Sequence, residues 1–268
     1  MRAFLPMPDK RPLNFTILGN PQGKPLVVTH GWATDSNFTL PIAKILATRK
    51  IMLLDFPGYG VNADFENVDP YAEGFVEYLH HSLPEKCDIL SWSLSSLLAI
   101  ELCDFDKGRK IDKLVTVCGT PRFPADPNWP GFSGHYVLQT KRLFTKIRFK
   151  KLLRLFYALQ CQSNLNSKDN NEFIKEASLK MHIPSFEVLD RGIKSMTNID
   201  LRVKLKNLQQ PCLHLFGAHD NLVPAAQASI LKRYAKHEVF IFDKSGHMPF
   251  LTESATFYAV VSAFLDRD

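Results

Sequence analysis

Four serines lie within six positions of one apolar stretch, CDILSWSLSSLLAIEL, at residues 87–102: Ser91, Ser93, Ser95 and Ser96. A serine hydroxyl attacks a carbonyl carbon only when a base removes its proton and a further group orients that base. A buried helix start with spare hydroxyls would give the same pattern. The choice between these interpretations depends on the flanking elements and on partners elsewhere in the chain.

Ser93 lies where a predicted strand changes directly into a predicted helix. The strand ends at Leu90 or Ser91 and the helix begins near Leu94, which leaves only a tight turn. In strand–turn–helix nucleophile motifs, the central serine is exposed on a strained turn and the residues two before and two after it are small. Ser91 and Ser95 hold those positions in place of the usual glycines. Ser93 is therefore the candidate nucleophile, although the motif alone has many chance matches.

Two loops near the C-terminus carry the residue types that a serine nucleophile needs. Asp220 follows the predicted strand PCLHLFG, and His247 follows the predicted strand HEVFIFD. The chain order of serine, acid and histidine, each in a loop beyond a strand, favours a catalytic triad. The alternatives are that Asp220 caps the helix after Pro224 and that His247 is a surface-loop histidine.

Acyl-transfer chemistry also needs backbone N–H groups that bind the negatively charged oxygen of the intermediate. Leu94 directly follows the candidate nucleophile and opens the helix, so its N–H is one candidate donor. Gly31 permits a tight turn in the loop THGWATD, which makes the N–H of Trp32 the second candidate. His30 in this loop is expected to be structural, and Asp55 in LLDFPGYG is expected to form a turn.

Short apolar runs alternate with helix-length segments, which is typical of a mostly parallel sheet covered by helices on both faces. The predicted strands lie at residues 24–30, 50–56, 87–91, 111–119, 211–217 and 237–243, with 13–19 as a candidate antiparallel edge strand. The predicted helices lie near residues 40–49, 71–83, 94–103, 225–235 and 254–265.

Residues 121–194 interrupt this alternation, because they hold aromatic-rich helical and loop patterns without a strand-like run. An insertion there would lie over the carboxyl ends of the strands, where ligands bind in open α/β sheets. We therefore expect a helical lid at 121–194 and a core domain formed by residues 1–120 and 195–268.

The net charge of +6 at pH 7 is concentrated in one stretch of the expected lid, KRLFTKIRFKKLLR. Apolar residues recur there at helical spacing, so one face could pack on the site while the other attracts an acidic partner. A solvated helix face or an anionic membrane surface would explain the same charges. Nucleic acid is not expected, because the rest of the chain is near neutral and lacks a recognised binding motif. The cations are Lys141, Arg142, Lys146, Arg148, Lys150, Lys151 and Arg154.

Length and composition predict a globular protein, because 268 residues with 45% hydrophobic residues can fill one large α/β core. The sequence has no signal-peptide pattern and no apolar run of about 18 residues, so we expect a cytoplasmic protein without stable membrane association. The five cysteines are scattered without a CxxC pair, which favours buried thiols over disulfides or a zinc site. We expect a monomer without cofactor or metal.

Eight stretches together resemble one known family, over residues 24–266: HGW, DFPGYG, SWSLS, VTVCGTPRF, NWPGF, FYALQ, FGAHDNLVP and SGHMPF. The family is that of the BioH-type α/β-hydrolases of biotin synthesis, which cleave the methyl ester of pimeloyl-acyl carrier protein. The resemblance implies the α/β-hydrolase fold, with a helical lid inserted after the sixth strand. It implies acyl carrier protein as the partner of the basic lid surface.

The resemblance also implies roles for individual residues. Ser93, Asp220 and His247 would form the triad of a serine carboxylesterase, with Trp32 and Leu94 as oxyanion donors. The implied substrate contacts are Trp32, Trp92, Leu94, Phe156, Tyr157, Ala158, Leu159, Gln160 and His247.

Three other functions fit the same residues. A general short-chain carboxylesterase or lipase-like hydrolase would not depend on a carrier protein, and its lid charges would be incidental. A binding protein on the same fold would have lost catalysis, against which the intact triad argues. A hydrolase of carbon–carbon bonds or a haloperoxidase also fits, because a fold does not determine the chemistry.

Overall fold

A twisted sheet of seven strands organises the computed structural model, which describes residues 11–133, 144–146, 149, 153, 157 and 168–267. The strand order is β1-β3-β2-β4-β5-β6-β7; β1 pairs antiparallel with β3, and the other neighbouring strands are parallel. The strands are β1 Phe15–Gly19, β2 Pro25–Thr29, β3 Lys50–Leu54, β4 Cys87–Trp92, β5 Ile111–Val117, β6 Cys212–Gly217 and β7 His237–Phe242. The predicted sheet, with its antiparallel edge strand, is confirmed.

The central strands β4 and β6 are buried along their whole length, although they include the polar residues Asp88, Ser91 and His214. Every residue of β4 and of β6 is buried, as expected where helices cover both faces of a parallel sheet. The carboxyl ends of parallel strands lie at the same edge of the sheet, so the loops after β2, β4, β6 and β7 are brought together there.

Nine α-helices and two 3₁₀ helices are described around this sheet. The α-helices are α1 Ser36–Ile45, α2 Phe75–Ser82, α3 Ser95–Asp106, α4 Lys168–Lys180, α5 Phe186–Asn198, α6 Arg202–Lys206, α7 Ala228–Leu231, α8 Pro249–Thr252 and α9 Ser254–Leu265. The 3₁₀ helices are Gly60–Phe65 and Ala225–Gln227. Among the described residues, no helix has both the length and the apolar character needed to cross a membrane.

Several helix boundaries differ from those predicted. Helix α1 begins at Ser36, four residues earlier than predicted, because the carboxylate of Asp35 caps it by accepting from the N–H of Asn37 at 3.0 Å. Helix α2 begins at Phe75 because the preceding Gly74 has left-handed backbone with φ of 88°. The helix predicted at 225–235 is a 3₁₀ turn followed by the short α7.

The segment between β5 and β6 contains α4, α5 and α6. Its described residues form two isolated β-bridges but no strand of the sheet. We call residues 121–194 the lid segment. In chain order β5 is the fifth described strand, because a single edge strand, β1, precedes β2; the insertion expected after a sixth strand therefore follows the fifth.

Candidate active site

Ser93 lies in the turn between β4 and α3 and has a φ of 62°. This left-handed conformation is unfavourable for a residue with a side chain, so the surrounding structure must hold it. The N–H of Ser93 donates to the carbonyl of Val117 at 2.9 Å, which continues the pairing of β4 with β5 beyond the last strand residue. The turn predicted from the sequence is present.

The neighbouring serines serve the packing of this turn. A Cβ atom added to Gly31 would lie 3.2 Å from Cβ of Ser93, so there is little space around the turn. Ser95 accepts from the hydroxyl of Thr29 at 2.8 Å, and Ser96 donates to the carbonyl of Thr120 at 3.1 Å. The hydroxyl of Ser91 donates to a strand carbonyl. Ser91 and Ser95 thus take the place of the usual glycines, because their side chains are small and their hydroxyls are hydrogen-bonded.

His247 lies between the other two members of the predicted triad. Its Nε2 atom is 2.8 Å from Oγ of Ser93, and its Nδ1 atom is 2.8 Å from Oδ2 of Asp220. A carboxylate can only accept, so Nδ1 carries the proton and the lone pair of Nε2 faces the serine hydroxyl. The imidazole is thereby oriented to remove the Ser93 proton.

The carboxylate of Asp220 binds both His247 and the loop after β6, but it does not cap the helix after Pro224, whose first turn has no side-chain cap. Its Oδ2 atom faces His247, while its Oδ1 atom accepts from the N–H groups of Leu222 at 2.7 Å and Val223 at 3.0 Å. The same carboxylate therefore orders the loop after β6 and orients the imidazole. His247 is 2% exposed, so it is not a surface-loop histidine.

The loop after β2 is held by His30 beneath it. Nε2 of His30 accepts from the N–H of Phe56 at 3.0 Å, so Nδ1 bears the proton and donates to the carbonyl of Gly31 at 2.8 Å. Burial lowers the pKa of His30, which favours this neutral form. The hydroxyl of Thr34 donates to the same carbonyl at 3.0 Å. The structural role expected for His30 is confirmed.

This arrangement fixes the direction of the Trp32 amide. In a trans peptide the carbonyl of one residue and the N–H of the next point in opposite directions. Because the Gly31 carbonyl points toward His30 and Thr34, the N–H of Trp32 points away from them. The fixed amide direction is the geometric basis for considering Trp32 as an oxyanion donor.

Leu94 lies at the N-terminus of α3 with helical backbone angles. The first intrahelical hydrogen bonds come from the N–H groups of Ser96 and Leu97, so the N–H of Leu94 precedes the bonded part of the helix. The positive end of the helix dipole favours a negative charge there.

The side chain of Trp32 packs on the lid segment. Its Nε1 donates to the carbonyl of Leu189 in α5 at 2.9 Å, and its ring meets Phe144 edge-on at 5.9 Å. A narrow cavity beside it is lined by residues that include Gly31, Trp32, Leu94, Tyr59, Tyr71 and Arg191. The hydroxyl of Tyr71 is buried and has no hydrogen-bond partner among the described residues.

Trp92 lies fully buried beneath the imidazole. Its Nε1 donates to the backbone carbonyl of His247 at 2.9 Å, and the two rings are 5.8 Å apart. Trp92 therefore stabilises the backbone at His247. Its contact with a substrate stays a prediction.

Two lid residues from the predicted set fall within the described residues. Tyr157 is buried, and its hydroxyl donates to the carbonyl of Ala33 at 2.5 Å. Lys146 forms an ion pair with Glu187, which lowers the pKa of that carboxyl. The other predicted lid residues lie outside the described residues: Phe156, Ala158, Leu159, Gln160, Lys141, Arg142, Arg148, Lys150, Lys151 and Arg154.

Cys118 lies beside Asp220 and Gly246, in a position that the sequence did not indicate. Its thiol donates to the carbonyl of Gly246 at 3.7 Å, and burial, followed by the nearby Asp220 charge, raises its pKa. Nothing in its local sequence distinguished it from the other buried cysteines. The four described cysteines, at 87, 103, 118 and 212, are free and buried, as predicted.

Two sets of side chains in the described part of the chain could hold a metal ion. They are Cys118 with Asp220 and His247, and Cys212 with His214 and His237; within each set the ligand atoms lie within 4.8 Å of one another. In both sets the imidazoles already make short hydrogen bonds, such as the 2.9 Å bond between His214 and His237.

Comparison with known proteins agrees with this geometry. Residues 26–260 match the alpha/beta hydrolase family. The chain is 30% identical over 92% of its length to the pimeloyl-[acyl-carrier protein] methyl ester esterase of Vibrio cholerae, covering 96% of that protein. It is 29% identical to the esterase of that name from Aeromonas salmonicida, over 91% of this chain and 96% of the other. The bromoperoxidase of Bacillus anthracis superposes with a TM-score of 0.82 at 17% identity, covering 94% of this chain and 95% of that one.

Proposed function

This chain belongs to the alpha/beta hydrolase family, and on that premise we propose that it hydrolyses the methyl ester of pimeloyl-acyl carrier protein, in biotin synthesis, through an acyl-enzyme on Ser93. The observation that carries the proposal is the pair of 2.8 Å hydrogen bonds from His247 to Ser93 and to Asp220. The curated relatives of that name, matched over nine-tenths of this chain, supply the substrate class.

The reaction follows from the proton positions. His247 takes the Ser93 proton through Nε2 as Oγ attacks the ester carbonyl, and Asp220 stabilises the imidazolium. The N–H groups of Trp32 and Leu94 bind the oxyanion. Collapse of the intermediate expels methoxide, which takes the proton back from His247 and leaves as methanol. Water then attacks the acyl-enzyme by the same steps and restores the serine.

The acyl chain would lie in an apolar channel leading from Ser93 under the lid segment. We assign its walls to Trp32 and Trp92 of the core and to the lid run at 156–160. Each methylene buried there contributes about 0.8 kcal/mol. A carrier bound on the lid would then place the distal methyl ester, and not the thioester, at Ser93. Equal hydrolysis rates for carrier-linked esters of different chain lengths would contradict this.

The basic stretch at 141–154 is proposed as the docking surface for the acidic carrier. Lys146 differs from the rest of the set because its charge is already paired with Glu187 and it lies 5.9 Å from the Phe186 ring. Reversal of Lys146 would therefore also break a contact within the lid. Reversal of Lys150 and Lys151 to Glu is the cleaner test of carrier docking.

A general short-chain esterase is the second candidate. The ion pair of Lys146 with Glu187 favours it, because this lid cation is engaged within the protein and not available to a carrier. Both candidates predict hydrolysis of small esters. Only the carrier-dependent enzyme should lose carrier-linked hydrolysis in the Lys150→Glu, Lys151→Glu variant while it keeps its rate on p-nitrophenyl acetate. A cytoplasmic, monomeric protein stays our prediction.

The decisive experiment is incubation with pimeloyl-acyl carrier protein methyl ester, with loss of the methyl group followed by mass spectrometry. We expect complete conversion to the free acid, with the thioester retained. The Ser93→Ala variant is the matched control and should leave the ester intact. Hydrolysis of small esters without any demethylation of the carrier-linked substrate would overturn the proposed substrate.

A further inference from the structure

The backbone of residues 31–33 is held by groups on both of its sides. The core side holds the Gly31 carbonyl through His30 and Thr34. Ala33 is fully buried and has a left-handed φ of 60°, so this conformation depends on its surroundings.

The opposite side of this loop is held by Tyr157 of the lid segment. Its hydroxyl donates to the Ala33 carbonyl at 2.5 Å. Its ring stacks on Phe38 with the ring centroids 5.6 Å apart and the planes inclined by 30°. Phe38 lies in the first turns of α1, directly after the loop. Tyr157 therefore contacts both the loop and the helix that follows it.

Helix α5 of the lid segment holds the side chain of Trp32. Leu189 accepts the indole N–H at 2.9 Å. One turn further along, a Cβ atom added to Gly192 would lie only 2.4 Å from Cδ1 of the indole, so position 192 has no space for a side chain. The hydrogen bond to Leu189 thus fixes the direction of the indole. The close approach of the α5 backbone at Gly192 limits how far the indole extends toward this helix.

We propose that the lid segment positions the oxyanion donor Trp32: Tyr157 is a positioning residue that orients the loop through Ala33, and Gly192 sets the depth of the indole. The inference rests on the proposed esterase function of Ser93. It gives Tyr157 a role different from the substrate contact that the family resemblance implies. The contacts that the lid segment makes with residues 31–33 then contribute directly to stabilisation of the oxyanion.

A positioning role has a distinct kinetic signature. The oxyanion forms in the transition state, so a displaced N–H lowers kcat while substrate binding is little changed. Loss of a whole oxyanion donor lowers kcat by about 100-fold to 1,000-fold. A displaced donor keeps part of its effect, so we expect a decrease of about tenfold in Tyr157→Phe, which removes only the hydroxyl.

The test compares Tyr157→Phe and Gly192→Ala with the wild type on p-nitrophenyl acetate. We expect kcat to fall about tenfold in each, with KM within about twofold. The affinity for a trifluoromethyl ketone, whose hemiketal oxygen mimics the oxyanion, should fall by the same factor as kcat. Leu179→Ala, at an exposed lid position, and Tyr234→Phe, outside the lid, are the controls and should match the wild type.

An unchanged kcat with a raised KM in Tyr157→Phe would overturn the inference and favour direct substrate contact. A second inhibitor, the alcohol obtained by reduction of the trifluoromethyl ketone, cannot form a hemiketal and so reports ground-state binding alone. The ratio of the affinities for ketone and alcohol is measured on the folded fraction of each variant, and a ratio equal to that of the wild type in both variants also overturns the inference. A wild type that cleaves p-nitrophenyl acetate but not the carrier-linked ester would refute the proposed substrate and leave this inference intact.

Discussion

The indole Nε1 of Trp92 donates a 2.9 Å hydrogen bond to the backbone carbonyl of His247, although 155 residues separate the two in sequence. Trp92 is the last residue of β4 and directly precedes Ser93. The residue before Ser93 therefore supports the backbone of His247. Edge-on contact of Trp92 with Phe250 at 5.3 Å, just beyond His247, strengthens this support.

Replacement of Trp92 by Phe should therefore reduce catalysis more than binding. The carbonyl of His247 would lose its buried donor, at a cost of about 1–2 kcal/mol of unfolding free energy. The freed loop would misplace Nε2 relative to Ser93, and we expect kcat to fall about tenfold. Steady-state kinetics and urea unfolding measure the two effects.

Trp129 provides the matched control for this substitution. It is also buried, and its Nε1 donates to the carbonyl of Arg122 at 2.8 Å, away from the triad. Trp129→Phe should lose similar stability with kcat close to that of the wild type. Equal losses of kcat in the two variants would show that the effect is general destabilisation.

The pKa of Asp35 predicts a stability that decreases as pH rises. Burial, with the nearby Asp55 charge, raises this pKa from 3.8 to about 6. The folded state thus binds more protons than the unfolded state between these values, so stability is lost as pH rises from about 4 to about 6.

Asp35→Asn keeps an N-capping side chain and removes the charge. Urea unfolding should show the variant more stable above pH 6, by about 1–3 kcal/mol, with the difference vanishing below pH 4. A gain that persists unchanged at pH 3.5 would contradict the assignment.

The lowered pKa of His214 predicts the opposite dependence of stability on pH. Burial lowers its pKa from 6.5 to about 3, so the unfolded state binds the extra proton and stability is lost as pH falls below 6.5. The stability of the wild type relative to His214→Asn should fall by about 1.4 kcal/mol per pH unit between pH 6 and 4. Parallel stability curves for the two proteins would show that His214 does not remain neutral in the fold.

The positions of Ser93, Asp220 and His247 in loops at the edge of the sheet follow from local sequence. The apolar run of β4 followed by small residues identifies the Ser93 turn, because a buried strand that leads straight into a helix leaves a recognisable pattern. Asp220 and His247 could be located because each follows an apolar run and parallel strands end at one edge of the sheet. The helix ends were predicted less well, because side-chain caps such as that of Asp35 and left-handed residues such as Gly74 determine them.

The contacts of Trp32 with the lid segment and of Cys118 with Asp220 could not be predicted. Trp32 and Leu189 are separated by 157 residues, and the need for glycine at position 192 depends on where the indole packs. Cys118 adjoins Asp220 only because β5 and β6 are neighbours in the sheet. Single-residue patterns carry no information about such packing, since it depends on the path of the chain between the partners.

The serines of residues 87–102 have separable roles, which substitutions can distinguish. Ser95→Ala leaves the hydroxyl of Thr29 without its acceptor, and Ser96→Ala leaves the N–H of Thr120 without its acceptor at 3.0 Å. Each should lose about 1–2 kcal/mol of stability and keep activity within about threefold of the wild type. Ser93→Ala should lose activity by at least about 1,000-fold with little change in stability.

Ser93→Gly gives the sharpest form of this comparison. Glycine adopts a φ of 62° without the cost that serine bears, so this variant should be inactive and more stable than the wild type by about 1 kcal/mol. A gain of stability in Ser93→Gly that is absent from Ser93→Ala would show that the turn holds residue 93 in a backbone conformation unfavourable for a residue with a side chain. Urea unfolding and p-nitrophenyl acetate hydrolysis measure both quantities on the same preparations. A Ser93→Gly variant less stable than Ser93→Ala would mean that the turn is not strained, and the hydroxyl position would then need another explanation.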